Sequence, residues 1–178
     1  MAASHRKLSA PESAAPASYD LRLVPLPVAV ARQMLAGKPG PETLSQWHPE
    51  YPLSDSIDAI AMVFAAHRVM GAPVDEVPTW WIHQIVVDDL VVGDIGFHGP
   101  PGPEQTVEIG YSVVPAWRRR RVASRACDLI LQQAWQDGAE LVVAETDHDN
   151  VASQAVLLGN GFQQRPDGVF MIRRPEAS

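Results

Sequence analysis

One stretch of the chain alternates strand and helix patterns, and it constrains the fold more than any other feature. Residues 106–114 (TVEIGYSVV) are predicted to form a strand, and residues 122–136 show the apolar spacing of a helix. Residues 139–146 (AELVVAET) are a continuous apolar run, typical of a strand that is covered on both faces. A strand–helix–strand unit makes its two strands parallel, with the helix on one face of the sheet. The sequence therefore predicts an α/β fold built around this unit.

Four consecutive arginines, Arg118–Arg121, lie between the first strand of this unit and its helix. With Arg125 they are five of the fourteen Lys and Arg residues in a chain whose formal net charge is −7. The first turn of a helix presents unpaired backbone N–H groups and a positive dipole end, which together favour phosphate. Arginines there add charge-assisted hydrogen bonds. We interpret the cluster as a local phosphate clamp; the alternatives are a nucleic-acid or nuclear-localisation patch and a solvated loop.

The bulk composition is that of an ordinary globular domain, with 46% hydrophobic and 20% charged residues. At 178 residues, one domain is the default. Residues 1–18 are rich in Ala, Ser and Pro and are predicted to be a flexible tail, which leaves residues 19–178 as the domain. The sequence pI near 5.3 argues against a general nucleic-acid-binding surface and mildly favours a cationic partner.

The cysteine, histidine and apolar patterns exclude several kinds of protein. A single cysteine, Cys127, allows no intrachain disulfide, which fits a cytoplasmic location. No Cys or His spacing indicates zinc, so no metal is expected. No apolar run reaches the roughly 20 residues of a membrane span, so no membrane partner is expected either.

The remaining elements follow from alternation, helical spacing and turn residues. They are a strand ending at Pro25, a helix from Pro27 to Gly37, a loop rich in Pro (KPGPETLSQWHPEYPLS), a helix that Gly71 ends, a hairpin turning at Asp88–Leu90, a short helix introduced by Asp149 or Asn150, and a closing hairpin around Pro166–Gly168.

At the arginine segment the sequence resembles the GNAT superfamily of N-acetyltransferases. The superfamily's cofactor signature is Arg or Gln, two residues, Gly, one residue, then Gly or Ala; Arg118–Ala123 occupy it. A second segment, Asn150–Phe162, resembles the superfamily's Asn-x-x-Ser…Gly-Phe motif, with Ser153 and Gly161 in place. The stretches EIGYSVVPAWR and VVGDIGF resemble the strands that precede the signature. The order and spacing of these motifs together carry the resemblance.

The pattern is closest to the branch that resembles ribosomal-protein N-terminal alanine acetyltransferases, and it covers residues 19–174. This resemblance implies a mixed central sheet of about seven strands, splayed between strands 4 and 5 and flanked by about four helices. It also implies that acetyl-CoA, the acyl donor, is wedged in the splay, with backbone N–H groups near Val113 and Val114 on its pantetheine arm. The implied cofactor-binding residues are Val113, Val114, Arg118, Arg119, Arg120, Arg121, Val122, Ala123, Ser124, Asn150 and Ser153.

Two positions depart from the superfamily pattern. Arg121 stands at the signature glycine, a residue used where the backbone approaches a ligand closely or takes a positive φ. We expect a right-handed φ at Arg121, which an arginine tolerates; otherwise its side chain would crowd the pyrophosphate. Leu157 stands where many members have a tyrosine that protonates the departing thiolate. A thiol with a pKa near 8.5 needs little help in leaving.

The acceptor amine must be neutral to attack a thioester, so a base is required. Glu108, in an otherwise apolar strand, is our first candidate, with a solvated strand edge as its structural alternative. Glu145 ends the next strand; it either faces the same cleft, where it is a second candidate for the base, or hydrogen-bonds loop backbone. The sequence DHD around His148 is interpreted as a polar loop that caps the following helix.

Four further residues are candidates for the acceptor pocket. Trp47 and Tyr51 lie in the loop that corresponds to the family's variable acceptor cover. His83 either lines the acceptor cleft or is a structural histidine of the hairpin. Tyr111 either lines the pocket or fills the core.

The sequence is compatible with three functions. The first is an acetyl-CoA-dependent N-acetyltransferase that acts on a primary amine of a small molecule or a protein N-terminus, as a monomer or homodimer. The second is a catalytically inactive acyl-CoA-binding or regulatory protein of the same fold. The third, a nucleic-acid-binding protein, rests on the arginine run alone and is disfavoured by the acidic composition.

Overall fold

The computed structural model describes residues 19–37, 46–71 and 74–176. The predicted tail and much of the proline-rich loop lie outside these segments. The strands within them are β1 (Leu21–Pro25), β2 (Gln46–Trp47), β3 (Ile82–Val87), β4 (Leu90–Phe97), β5 (Thr106–Val113), β6 (Leu141–Ala144), β7 (Gln163–Gln164) and β8 (Phe170–Arg173). The helices are α1 (Val28–Leu35), α2 (Ser54–Val69), α3 (Val122–Gln136) and α4 (Val151–Gly159).

These strands form one mixed sheet in the order β1-β3-β4-β5-β6-β8-β7, with β2 paired to β4. The β5–β6 pair is parallel, as the strand–helix–strand unit predicts, and β3–β4 form the predicted hairpin. The predicted α/β fold is therefore confirmed. The sheet has eight strands rather than seven because the two-residue β2 adds one. Within the described segments, no helix is long and apolar enough to cross a membrane.

Helix α3 packs on the sheet through an apolar face that includes Val122, Ala126 and Ile130, all buried. Its limits are those predicted from the sequence. Gly138, with φ +94°, follows its C-cap, a conformation that glycine adopts without steric cost. The core extends to α2, where Phe64 packs edge-on against the fully buried Trp81.

The sheet splays between β5 and β6, as the resemblance implied. Strand β5 pairs with β6 only through Thr106–Glu108, and with β4 through Ile109–Val113. Because β6 diverges beyond Glu108, the second half of β5 has a neighbour on one side only. The splay lies between the fifth and sixth strands in this numbering, since β2 precedes them.

Candidate active site

The gap between β5 and β6 opens into a cleft of about 470 Å³. Its walls come from α2, the β4–β5 pair, the end of β6 and the start of α4. A ligand can approach there because the strand ladder that would fill the space stops at Glu108. Polar backbone groups left unpaired at such a gap are ready to bind a ligand.

The backbone of β5 divides its hydrogen-bonding groups between β4 and the gap. The carbonyl of Glu108 accepts from His98 N (2.9 Å), and Val114 N donates to Val92 O (2.9 Å). The backbone N–H and C=O groups of the even-numbered residues of β5 therefore point toward β4. Those of the odd-numbered residues, which include Tyr111 and Val113, point into the gap. The predicted contact through the Val114 N–H needs correction, because that N–H is already bonded, whereas the N–H of Val113 points into the gap.

Four predicted site residues line the cleft: Tyr111, Glu145, Asn150 and Ser153. The Tyr111 hydroxyl donates to Ser153 O (3.2 Å), and burial raises the pKa of Tyr111 to about 12. The Asn150 side chain accepts from Ser153 N (3.1 Å) and caps α4, as the sequence indicated. These contacts fix the α4 side of the cleft.

Three predicted acceptor-pocket residues do not line the described cleft. Tyr51 is buried and packs edge-on against Trp47, with ring centroids 5.1 Å apart. His83 is buried in β3, where burial lowers its pKa. Because β3 side chains alternate between faces, and its neighbour Gln84 lies opposite Asp94, His83 projects from the face away from Asp94. His83 is therefore a structural histidine, the alternative left open by the sequence.

Glu108, the predicted base, contacts His98, and it is His98 that lies at the cleft. Glu108 does not line the cleft, whereas His98 does. His98 Nδ1 lies 3.0 Å from Glu108 Oε1, within hydrogen-bond distance but outside hydrogen-bond geometry. This contact lowers the pKa of Glu108, against the smaller opposing effect of partial burial. A Cβ at Gly110 would lie 2.5 Å from His98 Nε2, so the glycine is what lets the imidazole lie over β5.

A buried carboxylate in the cleft wall was missed by the sequence analysis. Asp94 is only 4% exposed, and Ser112, directly opposite it on β5, donates to its Oδ1 (3.0 Å). Ser56 of α2 in turn contacts the Ser112 hydroxyl (3.1 Å). Burial raises the pKa of Asp94 to about 6. The sequence did carry a signal for it, a single acidic residue inside the apolar run VVGDIGF, because a charged residue is rarely buried in a strand unless it is paired.

The arginine segment lies at the start of α3, beyond the end of β5. Arg118–Arg121 and Arg125 are exposed, and among the described residues none has a carboxylate within 4.0 Å. Arg118 Nε donates to Val113 O (2.9 Å), which ties the segment to the strand at the gap. Arg120 lies over the Trp117 ring, 5.0 Å from its centroid. An acidic chain thus concentrates unneutralised positive charge at one place.

The expected right-handed backbone at Arg121 is wrong. Arg121 has φ +62° and ψ +14°, the left-handed conformation, and forms the N-cap of α3. This conformation costs a non-glycine residue about 1–2 kcal/mol, which explains why glycine suits the position. Arg125 N is the first backbone donor to bond back, to Arg121 O (3.0 Å). The N–H groups of 122–124 remain available to an anion.

The fold and this cleft define a mixed α/β domain with a splayed sheet, and the sequence comparison identifies its family. The chain belongs to the GNAT acetyltransferases, because the Acetyltransferase (GNAT) domain matches residues 20–163. The resemblance seen in the sequence is thereby confirmed. No curated protein matches the chain.

Several solved acetyltransferases share the fold. RimJ from Mycobacterium smegmatis, in complex with CoA-disulfide, is 19% identical, with a TM-score of 0.56 over 86% of this chain and 81% of that chain. The ribosomal-protein-S5-alanine acetyltransferase from Vibrio fischeri is 14% identical (TM-score 0.53, 87% and 92%). The microcin C7 self-immunity acetyltransferase MccE, in complex with acetyl-CoA and AMP, is 16% identical (0.54, 86% and 92%). One further acetyltransferase is matched over only 61% of its own length.

Proposed function

We propose that this chain is an acetyl-CoA-dependent N-acetyltransferase that moves an acetyl group to a primary amine by direct attack on the thioester. The observation that carries the proposal is the unneutralised arginine segment around the free N-terminus of α3, at the mouth of the β5–β6 gap. Membership of the GNAT family supports it. Among the residues the structure describes, no group of three His, Cys, Asp or Glu forms a metal-binding cluster.

The residues present fit acetyl-CoA. Arg118, Arg119 and Arg121, with the N–H groups of 122–124, would hold the pyrophosphate. The N–H of Val113 would bind the pantetheine arm where β6 has diverged. Acetyl-CoA supplies a thioester whose C–S bond breaks as the amide C–N bond forms, with CoA released as its thiol.

The His98–Glu108 pair would take the proton that the amine loses. His98 faces the cleft, and imidazole is the side chain best suited to proton transfer near neutral pH. Glu108, 3.0 Å from Nδ1, would orient the ring and stabilise its protonated form. This arrangement refines Glu108 from a direct base to one that acts through His98. Leu157, buried at the cleft, leaves the departing sulfur without a dedicated acid, which a low-pKa thiol does not need.

Calorimetric titration of acetyl-CoA, followed by an assay of CoA thiol release over a panel of primary amines, tests the proposal. We expect micromolar binding and turnover of at least one amine. Absence of acetyl-CoA binding would contradict the proposal. Binding without transfer to any amine would favour the inactive acyl-CoA-binding alternative instead.

Two variants test the assignment of the base. Glu108→Gln and His98→Gln are each expected to lower kcat about 100-fold or more, the usual contribution of a general base, without weakening acetyl-CoA binding. Glu50→Gln is the matched control, because Glu50 lies 3.7 Å from His48 in a second His–Glu contact whose residues do not line the cleft. Equal kcat in all three variants would remove the pair from the mechanism.

A further inference from the structure

Tyr19, in the stretch just before β1, contacts the arginine segment from the far end of the sequence. Its hydroxyl donates to Arg120 O (2.7 Å), and its carbonyl accepts from Arg125 Nη1 (3.1 Å). The Arg125 guanidinium also lies over the Tyr19 ring, 4.6 Å from its centroid. The same ring packs edge-on against Trp117, with centroids 6.2 Å apart. One residue outside the segment therefore holds both its turn and the first turn of α3.

The Tyr19 hydroxyl binds the turn at a strained place. Arg119 and Arg121 both have a positive φ, +59° and +62°, which a non-glycine residue adopts only at a cost. The oxygen of Arg120 belongs to the peptide group that joins Arg120 to Arg121. A hydrogen bond to that oxygen fixes the peptide plane, and therefore the direction in which Arg121 leaves the backbone. Strained conformations of this kind persist only where surrounding contacts hold them.

The contacts divide the five arginines of the segment into two groups. Arg118, Arg120 and Arg125 are each engaged by a backbone carbonyl or an aromatic ring. For Arg119 and Arg121, the described residues provide no side-chain hydrogen bond, carboxylate or aromatic ring. The first group fixes the turn, and the second is left free for an anion.

We propose that Tyr19 is a positioning residue for the pyrophosphate of acetyl-CoA. It holds the turn in the geometry that directs Arg119, Arg121 and the N–H groups of 122–124 toward one anion. A turn already held in that geometry loses less freedom when the ligand binds. Tyr19 acts through the backbone of the segment and does not itself bind the ligand. This inference rests on the proposed function, since it assigns how the cofactor-binding turn of that reaction is held.

Tyr19→Phe removes the hydroxyl and keeps the ring, so it tests the bond to Arg120 O alone. We expect calorimetry of the full chain to give a dissociation constant for acetyl-CoA about fivefold higher than that of the wild type, the scale of one hydrogen bond. The constant for acetyl-pantetheine, which lacks the pyrophosphate, should not change. Tyr51→Phe is the matched control, because it removes a hydroxyl that is buried beside Asp94, and it should leave the ratio of the two constants unchanged. An unchanged ratio in Tyr19→Phe would overturn the inference.

NMR relaxation of the free protein tests the positioning without any ligand. The order parameters of the backbone N–H groups of residues 119–122 should be lower in Tyr19→Phe than in the wild type, because the turn is no longer held. Saturation with acetyl-CoA should restore them. Order parameters equal to those of the wild type in the free variant would show that Tyr19 does not hold the turn, and the inference would fail.

Two titrations separate this inference from the proposed function. Acetyl-CoA binding that is equal in the wild type and in Tyr19→Phe removes this inference and leaves the proposed function standing. If the wild type does not bind acetyl-CoA, the proposed function fails, and a titration of inorganic pyrophosphate decides the inference. Weaker pyrophosphate binding by Tyr19→Phe than by the wild type would support it, and equal binding or none would overturn it.

Discussion

Two regions beside the β5–β6 gap carry opposite charge in different forms. On the arginine side, the arginine segment (Arg118–Arg121 and Arg125) is exposed and lies on a turn and the first turn of a helix. On the acidic side, Asp94 lies in the sheet, almost fully buried, and Asp55 and Asp58 of α2 line the cleft with it. The net charge of −7 describes neither side. For this molecule, the placement of charge is more informative than its sum.

The difference in burial fits two different roles. A pyrophosphate carries its charge on several oxygens, so mobile guanidinium groups and free N–H groups can bind it from many directions. The Asp94 carboxylate is held in one orientation by Ser112 and has the buried Tyr51 hydroxyl beside it, so its charge is fixed within the packed interior. The predictions below test this contrast, in decreasing order of effect.

The largest effect is expected from the arginine side. Arg119→Ala combined with Arg121→Ala should weaken acetyl-CoA binding on the order of 100-fold, because each charged hydrogen bond contributes about 1.5–3 kcal/mol. Calorimetry measures the dissociation constant. The control is Arg68→Ala with Arg165→Ala, which removes the same charge from exposed positions outside the segment.

Acetyl-pantetheine, which lacks the pyrophosphate, distinguishes a clamp from a general loss of structure. The double variant should bind acetyl-pantetheine as the wild type does. Equal weakening of both ligands, or equal weakening in the control, would show that the segment does not recognise the pyrophosphate.

The acidic side predicts a pH-dependent stability. Burial raises the pKa of Asp94 to about 6, so between about pH 4 and 6 the folded state holds a proton that the unfolded state has lost. The free energy of unfolding of the wild type therefore decreases as pH rises through this range, because Asp94 ionises less readily in the folded state than in the unfolded state. Asp94→Asn cannot ionise, so its free energy of unfolding relative to wild type should rise by about 2–3 kcal/mol from pH 4 to pH 7.

Urea unfolding at several pH values measures this difference. Asp128→Asn, at an exposed position, should follow the wild-type curve throughout. If the free energy of unfolding of Asp94→Asn changes with pH as that of the wild type does, Asp94 is not a buried carboxylate in solution, and the contrast between the two sides fails.

A smaller effect is expected from the backbone of the arginine segment. Arg121→Gly relieves the left-handed strain at φ +62°, whereas Arg121→Ala removes the same side chain and keeps a Cβ in that conformation. Arg121→Gly should therefore be more stable than Arg121→Ala by about 1 kcal/mol, after the flexibility that glycine adds to the unfolded chain is counted. Thermal unfolding measures it; equal stabilities would mean that the turn relaxes in solution.

The elements of the fold could be predicted because their signals are local. The limits of α3 follow from its apolar spacing and from Gly138, and the cap of α4 follows from Asn150. The two residues of β2 were missed, because so short a strand has no periodicity to detect.

The chemistry of the site depends on pairing across strands, which the sequence does not encode locally. Asp94 meets Ser112, and His98 meets Glu108, only in the register that joins β4 to β5. The connection between β4 and β5 includes Glu104 and Gln105, both with a positive φ, a conformation that neither residue type signals. The arginine segment was found because its residues are contiguous.

The smallest effect concerns the second carboxylate on the acidic side. Glu108 has His98 beside it, and this contact lowers its pKa, whereas burial raises the pKa of Asp94. Two carboxylates of one sheet whose environments shift their pKa values in opposite directions are suited to different tasks. His98→Gln removes the imidazole that contacts Glu108, so the pKa of Glu108 should rise, which NMR of the side-chain carboxyl carbon can follow. His148→Gln, on the exposed loop before α4, is the control.

A rise confined to His98→Gln would show that the pair is coupled in solution, as a base that acts through an imidazole requires. Because Glu108 is partly exposed, the accompanying change in stability should be small. The lowered pKa of Glu108 stabilises the folded state at pH values above the ordinary pKa of a carboxyl group. That contribution is lost as the pH falls through the pKa of Glu108 in the folded state. An unchanged pKa of Glu108 would leave His98 without its positioning partner, and the proposed base would lose its support.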